Sequence, residues 1–223
     1  MGQSDLFLQN AVKLGIDLSS PDFAVLSHGH YDHGGGMAAL RTVNAQVPLY
    51  VSRHAFGAFY SDKYIGLAPA AARDGHLVLT DGVHCLAKGI TLYANGEVPL
   101  FSAQNRGLYM KEAGILHPDD FCHEQYLLVE EAGKRVLFSG CSHKGVVNIA
   151  RYFAPDVLVG GFHFKKMDVQ KDGAFLEEAA KKLLEIGCTY YTCHCTGTEQ
   201  YAFLKGKMGD RLHYLASGET VVL

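Results

Sequence analysis

Within six residues, His28-Gly-His-Tyr-Asp-His33, the chain places three imidazoles and a carboxylate directly after the apolar run Phe23-Ala-Val-Leu26. A short apolar run of this kind reads as a buried strand, so the polar cluster belongs at the rim of a hydrophobic sheet. Neutral imidazole and carboxylate are the groups zinc takes in catalytic sites, usually three from the protein with one position left open. On an extended segment, residues i and i+2 point the same way. His28 and His30 can therefore share one ion, while Asp32 and His33, past the bend, address a second. Gly29 and Gly34-Gly-Gly36 are expected to let the backbone turn tightly around such ions. The competing reading, scattered surface histidines in a polar loop, fits poorly with so dense a cluster after a hydrophobic strand.

The pattern recurs. Arg135 to Ser139 leads into Gly140-Cys-Ser-His143, Asp156 to Gly160 leads into Gly161-Phe-His163, and Thr189 to Thr192 leads into Cys193-His-Cys195. Between these strand ends the spacing predicts helices over Phe7 to Leu14, with Ser4 as cap and Gly15 as stop, over Met37 to Arg41, over His54 to Asp62, and over Phe175 to Ile186 with Gly187 as stop. Further strands are expected at Val47 to Ser52, His76 to Leu79, Ile90 to Ala94, Leu212 to Leu215 and Thr220 to Leu223. Tyr126 to Glu130 and Arg135 to Ser139 form a hairpin around Gly133. Strands alternating with helices give an α/β class.

Composition narrows the functions open to such a chain. With 223 residues, 48% apolar and 19% charged, it has the material for one domain spanning 1–223, and disorder is excluded as the main reading. A net charge of −3 supplies no basic field for nucleic acid. No run approaches the ~18 apolar residues of a membrane span, and the opening Met1 to Gly15 has no signal-peptide pattern, so a cytoplasmic protein is expected. Six cysteines are then read as free thiols.

Ser27-His-Gly-His-Tyr-Asp-His-Gly34 resembles the H-x-H-x-D-H hallmark of the metallo-β-lactamase superfamily. The likeness continues through Phe138-Ser-Gly-Cys-Ser-His143, Gly160-Gly-Phe-His163 and Thr192-Cys-His-Cys-Thr-Gly197, in the branch labelled as methanopterin-related dihydropterin phosphate synthases. The resemblance implies a four-layer αβ/βα sandwich. It makes His28 and His30 ligands of a first metal, and Asp32, His33 and His194 ligands of a second. His143 is the choice for the remaining ligand, with His123 as the fallback, otherwise a hairpin-edge residue in water. Where many relatives carry a bridging aspartate this chain has Cys141, either a thiolate ligand or a small buried residue. Cys193 and Cys195 are expected to point away from His194 on an extended backbone, as packing residues. His163 is either a proton donor or a buried hydrogen-bonded histidine, and Lys165 and Lys166 either a solvated pair or a lure for an anion.

The expected activity is that of a metal-dependent hydrolase. Zinc, one ion or two, with manganese or iron as alternatives, lowers the pKa of water towards ~7, and hydroxide attacks an ester, amide or phosphoester. Asp32 and His163 are the catalytic candidates, as proton acceptor and donor, and the substrate is a small molecule, phosphorylated or not. The alternatives are a synthase or transferase acting on a phosphorylated pterin-type substrate, a di-iron redox protein, and a non-catalytic metal-binding module. Relatives usually begin with strands that this chain does not show, roughly 40 residues by the length of strands and connections. Either the start is truncated or another chain covers the exposed sheet edge, and of these a homo-oligomer is the favoured expectation.

Overall fold

The computed structural model describes residues 1–94, 98 and 107–223. The chain divides into two compact units, one containing Met1–His84 and the segment ending at Gln125, the other containing Cys85–Leu92 and Tyr126–Leu223.

The first unit opens with helix α1 (Leu6–Leu14), closed by Gly15 in the left-handed region. Ser4 does not stand at the N-cap, which is Asp5, although its hydroxyl accepts the Leu6 N–H at 3.3 Å. Strand β1 (Ala24–Val25) pairs in parallel with β2 (Leu49–Ser52), and β2 in parallel with β4 (Leu77–Thr80). Between β1 and β2 come a single helical turn, α2 (Tyr31–Gly34), and α3 (Met37–Val43). Leu26, Met37, Leu49, Val51, Ala55 and Leu67 form the core against this sheet.

A second sheet of the same unit runs β3 (Ala58–Tyr60), β7 (Tyr109–Glu112), β8 (Ile115–Pro118), all antiparallel. Here the expected helix over His54 to Asp62 gives way to turns and β3. Phe59 is buried between two half-buried neighbours, the period-two pattern of a strand, and packs with Ile65, Leu108 and Phe121. Pairing with β7 overrides the local helical spacing, as tertiary context commonly does.

The second unit holds most of a seven-stranded sheet in the order β13-β12-β11-β10-β9-β6-β5, where β5 is Gly82–Ala87, β6 Ile90–Ala94, β9 Gln125–Glu131, β10 Lys134–Phe138, β11 Val157–Val159, β12 Thr189–Thr192 and β13 Leu212–Tyr214. Strands β10 to β13 are mutually parallel. The β9–β10 hairpin turns through Ala132 and Gly133, both at positive φ (51° and 80°), the backbone of a type I′ turn. Ala113 and Gly114 do the same for β7–β8. Glu-Ala-Gly therefore marks two hairpins, and only the later one was expected.

Helices α4 (Val146–Phe153), α5 (Gly173–Ile186) and α6 (Thr198–Met208) complete the unit. In α5, Leu176, Ala179, Ala180 and Leu183 are buried at helical spacing, and Gly187 stops it in the left-handed region as expected. Thr220 to Leu223 form no strand, and Val222 is almost fully exposed.

Candidate metal centre

After β1 the chain bends at His28 and Gly29, and His30, extended at φ −92° and ψ 145°, is the residue from which α2 starts. The chain changes direction where the sequence places Asp32 and His33. His28 and His30 are buried, with ring centroids 4.7 Å apart, and the His33 ring comes within 4.0 Å of His28. Ser27 Oγ lies 3.1 Å from His28 Nδ1 and 3.3 Å from His33 Nδ1, so one hydroxyl orients both imidazoles. Asp32 Oδ2 stands 3.9 Å from His33 Nε2.

The glycines of this segment serve space rather than unusual dihedrals, since none of Gly29 and Gly34 to Gly36 has positive φ. A Cβ on Gly29 would run into the Ala55 carbonyl, and one on Gly35 into the carbonyls of Gln3 and Tyr31.

Two residues outside the motif hold it. Gln125, buried at the start of β9, receives the Thr80 hydroxyl at 2.8 Å and donates its amide to the carbonyls of Leu26, just past β1, and Tyr50, within β2, so it ties this sheet together beside the motif. His123 is also buried, which corrects the expectation of a water-exposed hairpin edge. Its Nδ1 accepts the Gly29 N–H at 3.0 Å and its Nε2 faces Asp119 Oδ2 at 3.1 Å. The signal for it was an aspartate and a histidine four residues apart across the turn between β8 and β9.

In the second unit, the loops after the adjacent parallel strands β10, β11 and β12 carry His143, His163 and His194. The carboxyl ends of parallel strands are where α/β sheets bind ligands. Ser142, His163 and His194 all adopt left-handed backbone (φ 54°, 57° and 52°), a costly conformation that clusters at functional sites. His143 is buried, half-buried His163 meets it edge to face at 4.4 Å between centroids, and His194 is exposed.

The loops interlock. Gly161 N–H donates to the Gly140 carbonyl at 2.8 Å, and Thr196 Oγ1 accepts the Phe162 N–H at 2.8 Å. A Cβ on Gly161 would strike Cys195 Sγ. His194 to Thr196 form a turn of 3-10 helix rather than extended chain, so alternation does not set where Cys193 and Cys195 point. Cys195 and Cys141 are buried, with the Cys195 thiol against the Cys141 carbonyl at 3.7 Å. Burial, and then the neighbouring Cys195, push the Cys193 thiol above its ordinary range. All six cysteines are free thiols.

A family model described as the metallo-beta-lactamase superfamily matches residues 2–180. The chain belongs to the metallo-beta-lactamase superfamily. It is 26% identical over 239 aligned positions to the 7,8-dihydropterin-6-methyl-4-(beta-D-ribofuranosyl)-aminobenzene-5'-phosphate synthase of Methanocaldococcus jannaschii, covering 96% of this chain and 79% of that one. The solved structure of Tm1679, a metal-dependent hydrolase of the beta-lactamase superfamily, is similar at TM-score 0.81 and 28% identity, over all of this chain and 86% of the other. Zinc-bound PqqB from Methylobacterium extorquens shares the fold at TM-score 0.51 and 14% identity, over 89% and 72% of the two chains.

The mixed α/β architecture is thus that of the metallo-beta-lactamase fold, whose members bind metal ions and are mostly enzymes. The donor set of the first unit fits such an ion: three buried or half-buried imidazoles and a carboxylate, converging, with the Ser27 hydroxyl already beside two of the imidazoles. Among the described residues, no helix is long and apolar enough to cross a membrane.

Proposed function

We propose that residues 1–223 act as one metal-dependent hydrolase domain, with zinc as the expected ion. His28, His30 and His143 would hold one metal and Asp32, His33 and His194 a second. The observation that carries this reading is the convergence of His28, His30 and His33 at the end of β1, with ring centroids as close as 4.0 Å. The likeness of the whole chain to a metal-dependent hydrolase at 28% identity supports it. A divalent ion held by these groups supplies Lewis acidity and makes water a nucleophile near neutral pH.

The chain's own residues would do the rest. The Asp32 carboxylate, next to His33, accepts the proton of the attacking water. His163, set beside His143 by its left-handed backbone, donates a proton to the leaving group. The substrate class is a small-molecule ester, amide or phosphoester. Free thiols throughout agree with a cytoplasmic setting.

The likeness to the archaeal phosphate synthase favours a second reading, in which the same groups act on a phosphorylated pterin-type substrate in bond formation. Metal analysis of the parent and of His30→Ala, with a screen of phosphodiesters, lactones and amides beside a phosphorylated pterin, tests both. Full metal content and full activity in His30→Ala defeat the assignment. Binding of the pterin without turnover of any ester favours the synthase.

A further inference from the structure

Asp119 and His123 lie outside the histidine motif yet reach into it. Asp119 Oδ1 accepts the Phe121 N–H at 2.8 Å, closing a turn in which Phe121 takes φ 54° and accepts the Glu124 N–H. Its other oxygen, Oδ2, lies 3.1 Å from His123 Nε2 and 4.0 Å from His30 Nε2. On the far side of the His123 ring, Nδ1 accepts the N–H of Gly29, the residue between the two motif histidines. All of these side chains are buried.

The backbone donor decides the chemistry of His123. A ring nitrogen that accepts a hydrogen bond carries no proton, so a neutral His123 has its proton on Nε2 and donates it to Asp119. The one remaining lone pair is turned to Gly29. His30, Asp119 and His123 have potential ligand atoms within 4.8 Å of one another, yet in this tautomer His123 has no lone pair to give a metal. Asp119 Oδ2 also faces His30 Nε2 at 4.0 Å, beyond hydrogen-bond distance, so its charge stands beside that edge of the His30 ring.

We propose that Asp119 and His123 are a positioning pair for the first metal's histidines: His123 clamps the backbone between His28 and His30, and Asp119 holds the His123 ring in place and sets its charge beside His30. This rests on the reading of His30 as a ligand. A carboxylate behind a ligating histidine holds its ring orientation and raises its basicity, and loss of such a partner typically weakens metal binding 10–100-fold. His123 then serves the site without joining it.

The test is titration of the metal-free full chain with Co²⁺ and with Zn²⁺, in the parent, Asp119→Asn, His123→Asn and His30→Ala. Asp119→Asn and His123→Asn are expected to bind the parental number of ions at saturation. One ion should bind about 10–100-fold more weakly, and its Co²⁺ ligand-field spectrum should shift. Parental affinity and spectrum in both variants overturn the proposal. So does loss of a whole equivalent in His123→Asn, which would make His123 a ligand. Circular dichroism of the metal-free proteins reports folding, and the isosteric Asp119→Asn carries the test if His123→Asn does not fold. The His30→Ala arm stands apart: undiminished metal there removes His30 as a ligand, whatever the other two variants do.

Discussion

The side-chain amide of Gln125 donates to the carbonyl of Leu26 at 2.5 Å, joining residues 99 positions apart. It holds Gln125, a residue of the first unit, against the residue that follows β1, just before the histidine motif begins. The same amide reaches Tyr50, and its oxygen takes the Thr80 hydroxyl. Gln125→Leu removes the partner of the Leu26 carbonyl and of the Thr80 hydroxyl, whereas Tyr50 keeps the Leu26 N–H, and the cost is about 1–3 kcal/mol for each of the two groups. Urea unfolding is expected to show a loss of at least about 2 kcal/mol on that scale, and a loss under about 0.5 kcal/mol would remove Gln125 from this role.

Gly29→Ala should be costly out of proportion to one methyl group. The new Cβ would meet the Ala55 carbonyl, which is backbone and cannot swing aside as a side chain would. Overpacking of this kind costs about 1–3 kcal/mol. The shift would also disturb the Gly29 to His123 hydrogen bond, so weaker Zn²⁺ binding is expected together with a lower Tm. Unchanged values of both would show that the loop relaxes freely.

Alkaline pH should destabilise the second unit through Cys188. Burial pushes its thiol up to about 12, so the native state keeps the proton after the unfolded chain releases it near pH 9. Between those values the unfolded state binds fewer protons, and stability falls as pH rises. The loss at pH 10 is about 1–2 kcal/mol. Tyr190, also pushed up by burial, adds in the same direction above pH 10. Denaturation midpoints from pH 7.5 to 10 should therefore decline in the parent and decline less in Cys188→Ala. Equal slopes would argue against this assignment.

Substitution of His163 should separate metal binding from turnover. His163→Gln is expected to keep the parental metal content and lower kcat by about 10²–10⁴, the usual contribution of a positioned proton donor. His194→Ala should instead lower the metal content. Loss of metal in His163→Gln would place His163 among the ligands.

The sequence alone was enough to place the histidine clusters after strands. The apolar run before His28 and the repeated strand-then-histidine pattern marked four strand ends, and in each case the histidine-bearing loop follows a strand of a sheet. Helix α5 and the β9–β10 hairpin were equally legible, because their signals are local: spacing within one element, or two turn residues at positive φ. The helix expected over His54 to Asp62 failed because β3 takes its conformation from β7, some fifty residues later. His123 was misjudged for the same reason. Nothing beside it in the chain shows that Gly29, 94 positions away, donates to its ring.

What the sequence determined by itself is which residue types stand at the ends of apolar strands, and hence the class of fold and the kind of ligand chemistry, since both follow from local pattern. Which of these side chains are buried, and which distant groups hydrogen-bond to Gly29, His123 and Gln125, was decided by the tertiary structure. Burial and hydrogen-bond partnership there join groups a hundred residues apart, and the tautomer of a histidine is set by whatever donor reaches it through space.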